Sequence, residues 1–86
     1  MKVGDENYLL KISDMPFTWL FLVKAKIKHI STDYVRYEVE EVVSWINRPI
    51  TVGTDISDTY LVQDWPADSN IKLIYRQTIS LIFELI

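Results

Sequence analysis

Between Phe21 and Val43, apolar and charged residues alternate twice around a short polar break. Phe21, Val23, Ala25 and Ile27 are interleaved with Leu22, Lys24, Lys26 and Lys28. Beyond Ser31, Thr32 and Asp33, residues Val35, Tyr37 and Val39 are interleaved with Arg36, Glu38 and Glu40. A period of two belongs to a strand with one dry and one wet face, so these runs predict a long antiparallel hairpin over about 18–28 and 34–46. A loop of Ser31, Thr32 and Asp33 sets Ile27 opposite Tyr37 and Ala25 opposite Val39 on the dry face. The same register sets Lys26 opposite Glu38 and Lys24 opposite Glu40 on the wet face. Core pattern and charge pattern select one alignment.

The strict alternation fails at Glu40, Glu41, Val42 and Val43, which predicts a β-bulge near 40–42 and hence a bent strand. Trp45 and Ile46 close that strand before Asn47, Arg48 and Pro49, and the Trp45 indole is expected in the core. Upstream, Tyr8, Leu10 and Ile12 alternate with Leu9 and Lys11, a first strand that Ser13, Asp14, Met15 and Pro16 terminate. Ile50 to Val52 fits a short strand ended by Gly53.

Two patterns compete over 54–64. Ile56, Tyr60 and Gln63 fit a helical face, and Ser57 is able to cap one helical turn near 55–60, whereas Tyr60, Leu61 and Val62 fit a strand. The strand reading, at about 59–63, is preferred. Pro66, Asp68, Ser69 and Asn70 then mark 64–70 as a loop. Over 71–86 the apolar positions Ile71, Leu73 and Tyr75, then Ile79, Leu81, Phe83 and Leu85, again recur at period two. Many β-branched residues and no evident cap favour two strands with a turn near Gln77 over a helix.

Five to six strands in 86 residues, one pair long and bent, predict a mostly β chain: a small antiparallel barrel, SH3-like or OB-like, or a strongly bent sheet. Residues 1–86 are read as a single domain, with no repeat, linker or low-complexity tract.

Composition narrows the class further. Apolar residues make up 49% of the chain, with three Trp and five Tyr, too many for disorder. The longest apolar runs fall far short of the roughly 18 residues of a membrane-spanning helix. No apolar leader follows Lys2, since Gly4, Asp5, Glu6 and Asn7 come next. The absence of cysteine excludes disulfides and thiolate metal sites and accords with a cytoplasmic protein.

No catalytic constellation is present. The one histidine, His29, falls at the hairpin tip beside Lys28, and neither Asp55 with Asp58 nor Asp64 with Asp68 matches a calcium-loop pattern. Phosphate-loop, dinucleotide and nucleophile-elbow motifs are missing. The sequence therefore predicts no enzyme, no cofactor, no metal and no small-molecule substrate.

Charge placement suggests contacts with macromolecules. The net charge is −3, yet 20–37 carries Lys24, Lys26, Lys28 and Arg36 against Asp33 alone. Over 49–71 lie Asp55, Asp58, Asp64 and Asp68 with no basic residue. The first expectation is a protein-interaction module, a homo-oligomer or a subunit or inhibitor within a larger assembly. Its candidate contacts are Trp65, which either caps the fold or meets a partner, the four aspartates, and Ile82, Phe83 and Ile86 on a C-terminal edge strand. The alternative is a single-stranded nucleic-acid binder using Lys24, Lys26, Lys28 and Arg36, with Tyr34 or His29 at the tip for stacking. The acidic balance and the facing glutamates weigh against it.

Overall fold

The computed structural model describes residues 2–13, 16–58 and 63–85, of which 58, 63 and 81–85 are described by their backbone alone. Strands β1 (Glu6–Ser13), β2 (Trp19–Ile30), β3 (Val35–Ile46), β4 (Asp55–Asp58) and β5 (Gln63–Pro66) precede one helix, α1 (Ile71–Leu85). The strands form one antiparallel sheet in the order β4-β3-β2-β1-β5. The expected mostly β architecture is present as the strongly bent sheet, not as a closed barrel.

Chain length explains the bend. β4 and β5 lie on opposite edges, about 19 Å apart were the sheet flat. Five residue steps join Asp58 to Gln63, and a fully extended chain covers about 17 Å over that number. The sheet must curl to bring its edges toward each other.

Curling encloses an inner dry face, and the helix covers a second one on the outside. The inner one gathers Leu9, Phe21, Val23, Ala25, Ile27, Tyr37, Val39 and Ile56 from four strands. The outer one gathers Tyr8, Leu10, Leu20 and Leu22 beneath Ile74 of α1. Leu9 and Leu10, like Leu20 to Val23, are buried consecutively because both sides of β1 and β2 are covered there. Beyond the helix the outer face of β2 turns wet, and strict alternation resumes at Lys24.

The hairpin keeps the expected register at its centre, with Ile27 facing Tyr37, Lys26 facing Glu38 and Ala25 facing Val39. It reaches that register differently. Ser31 N–H donates to Tyr34 O at 2.9 Å, so the turn is Thr32-Asp33 and not a three-residue loop. His29 faces Arg36, and Lys28 is the extra residue that restores the alignment. The bulge expected near 40–42 is present: Val39 faces Ala25 but Glu41 faces Lys24, leaving Glu40 unmatched, and Val43 is a second unmatched residue. Lys24 therefore faces Glu41 and not Glu40.

Four other expectations are corrected. Residues 71–85 are helical: Asn70 caps them, its Oδ1 accepting from Lys72 N–H at 3.0 Å, and Ile71, Ile74 and Thr78 supply the helical spacing that packs on the sheet. Residues 64–66, expected to open a loop, belong to strand β5, because Pro66 sits at the sheet edge where its missing N–H costs no ladder bond. Ile50 to Val52 form no strand; 51–54 is a turn closed by Thr54 N–H to Thr51 O, with Gly53 at φ 90°. Asp55–Asp58 is a strand, not a helical turn. The strand expected at 59–63 lies largely outside the described residues.

Candidate interaction surface

The basic face of the hairpin is neutralised. Lys28 Nζ lies 3.1 Å from Glu38 and Lys26 Nζ 3.3 Å from Glu40, while Glu6 of β1 approaches Lys24 at 3.8 Å and Lys26 at 3.9 Å. Partial burial opposes the charge on Glu40, but hydrogen bonding with Lys26 and Glu6 and the charges of Lys26 and Lys24 outweigh it, so its pKa is lowered. Arg36 is exposed at the tip, facing His29 and Ser57, and the Tyr34 ring tilts against the His29 ring at 5.9 Å.

The acidic residues do not converge. Asp55 and Asp58 belong to β4, Asp64 to the opposite edge strand β5, and Asp68 to the turn before α1. Asp55, Asp64 and Asp68 are exposed; the Asp58 side chain lies outside the described residues. Asp64 faces Leu9 and so points to the inner face, where its charge adds to burial in raising the pKa of Tyr37.

Trp65 faces Tyr8 and is half-buried against the outer core. Ile82 and Phe83 fall within α1, not on an edge strand; their side chains, and all of Ile86, lie outside the described residues. Among the described residues no group of three or more His, Cys, Asp or Glu converges to hold a metal. Among them, too, no helix is long and apolar enough to cross a membrane.

A surface that the sequence reading passed over lies at the far end of the β2–β3 ladder. Trp45 was expected in the core; it faces Phe21 on the inner side but lies at the sheet end, where 47% of it stays exposed. Ile46, on the other side, is 36% exposed, and Phe17 is 53% exposed. The Asn47 side chain donates to Thr18 O at 2.9 Å, tying the segment after Phe17 to the segment after Ile46. Asn47 adopts φ 58°, a left-handed conformation that asparagine tolerates, and this turns the chain so that Arg48 returns over the inner face.

There Arg48 places its guanidinium carbon 4.2 Å from the Trp19 ring centroid and 5.4 Å from that of Phe21. Trp19 and Phe21 are themselves near-parallel, with centroids 6.1 Å apart. Lys11, opposite Phe21, has its pKa lowered by burial and by the Arg48 charge, so two cations share this corner of an acidic chain. The available signal was Trp45-Ile46 just before a breaker: adjacent strand residues point to opposite faces, and a strand end cannot bury both. No family model, curated protein or solved structure matches the chain.

Proposed function

We propose that this domain is a non-enzymatic protein-interaction module of the cytoplasm, acting as a homo-oligomer or as a subunit or inhibitor within a larger assembly. The observation that carries this reading is the exposure of Phe17, Trp45 and Ile46 on two chain segments held together by Asn47 and Thr18. Exposed aromatic and aliphatic side chains at one end of the sheet, with an arginine over the Trp45 side, have the composition of interface hot spots. The Lys24, Lys26 and Lys28 face supports nucleic-acid binding less well, because Glu6, Glu38 and Glu40 already satisfy its charges.

The test is association measured by sedimentation velocity from micromolar to millimolar protein, and by retention of a partner from source-cell extract. Phe17→Ser and Trp45→Ser should abolish whichever association is found while the far-ultraviolet circular dichroism stays unchanged. A chain that stays monomeric and retains nothing, or whose association ignores both substitutions, refutes the reading.

A further inference from the structure

We propose that Arg48 is the carboxylate-docking residue of this surface, so that the partner presents an Asp or Glu side chain flanked by apolar residues. This inference rests on the protein-interaction reading above and names the chemistry of the partner. One face of the guanidinium is taken by Trp19 and Phe21, at 4.2 and 5.4 Å. The rings cover one side of the Arg48 side chain, which is otherwise exposed. Among the described residues Arg48 makes no ion pair, in a chain where Lys24, Lys26 and Lys28 all do. An exposed guanidinium held against aromatic rings and without an ion-pair partner is suited to capture a carboxylate, since part of the rotamer entropy that opposes such a bond has already been lost.

The neighbours select the carrier of that anion. Lys11 adds positive charge beside Arg48. Trp45, which faces Phe21 on the same inner side and is 47% exposed, flanks the site with apolar surface, which suits a carboxylate set among apolar side chains and does not suit a phosphate backbone. The net charge of −3 also disfavours a polyanion at long range, whereas one carboxylate meets only the local field.

Nuclear magnetic resonance titration of the full chain tests this with three probes. They are a blocked peptide with one Asp between Leu residues, the same peptide with Asn, and an oligothymidylate. The Asp peptide should shift the Trp45 indole N–H and Arg48 Nε–H signals and bind about tenfold more tightly than the Asn peptide, the difference expected of a charge-assisted bond. Arg48→Gln should remove that preference, and Arg48→Lys, which keeps the charge but loses the planar fork, should not restore it fully.

Equal binding of the Asp and Asn peptides, absence of shifts at Trp45 and Arg48, or tighter binding of oligothymidylate overturns the proposal. If both peptides bind equally and Trp45→Ser removes both, the interaction reading stands while the carboxylate assignment falls. If neither binds and Trp45→Ser leaves partner retention intact, both fall together.

Discussion

Lys28 pairs with Glu38 at 3.1 Å although the residue directly facing Glu38 in the ladder is Lys26. The same diagonal step takes Lys26 to Glu40. The unmatched residues Lys28 and Glu40 re-aim the long side chains, so the wet face forms a lattice with Glu6 and not a row of directly opposed pairs. All six side chains remain between about one quarter and two fifths exposed, which sets the size of the effect. A double-mutant cycle on Lys28→Met and Glu38→Gln should give a coupling below about 1 kcal/mol that shrinks further in molar salt. A coupling that salt leaves unchanged would show that charge is not its source.

The turn at 51–54, tied to Val39 by hydrogen bonds from Gly53 N–H and to Thr54 O, needs a left-handed residue at 53. Gly53 has φ 90°, and a Cβ built there meets nothing within 4 Å. Gly53→Ala should therefore cost about 1–2 kcal/mol through left-handed strain without any clash. Semisynthesis separates the two causes: D-alanine at this position should restore stability in urea unfolding, and a loss that persists with D-alanine points to crowding.

Helix α1 is held by its cap and by a packed face. Asn70 caps it, and Ile74, 1% exposed, seats it on Tyr8, Leu10, Leu20 and Leu22. Asn70→Ala should cost about 1 kcal/mol and Ile74→Ala about 2–5 kcal/mol. Thr78 is buried, with its hydroxyl donating to Ile74 O at 2.8 Å, a local bond already present in the isolated helix. Thr78→Val keeps the volume and should change stability by less than about 1 kcal/mol, as read from chemical denaturation. A loss near that of Ile74→Ala would mean that the hydroxyl has a role beyond its own helix.

Much of the sheet was legible because one face of each hairpin strand is wet. Lys24, Lys26 and Glu38 fix which side faces water, and a one-residue slip would invert them, so Ala25 facing Val39 followed from pattern alone. The helix was hidden for the converse reason: Leu73, Tyr75 and Ile79 are apolar yet exposed, and with Ile71 they complete a false period of two. Asn70 was the overlooked signal, having been counted as a loop residue when it is a cap. Arg48 was hidden because its partner Trp19 lies 29 positions upstream, and only the left-handed turn at Asn47 brings them together.

The alkaline limit of stability should report on Tyr37. Burial raises its pKa first, and the negative charge of Asp64, brought across the curled inner face from β5, raises it further. Tyr37 binds its proton more tightly folded than unfolded. Its contribution to stability is thus complete below the unfolded tyrosine value, about 10, and disappears as pH climbs through the folded value. The difference in tyrosinate absorbance between the native chain and Tyr37→Phe isolates this titration. Asp64→Asn should move it down only part of the way, because the larger cause, burial, remains. If Asp64→Asn leaves the titration in place, the two edges of the sheet do not approach as closely as the short connection from β4 to β5 demands.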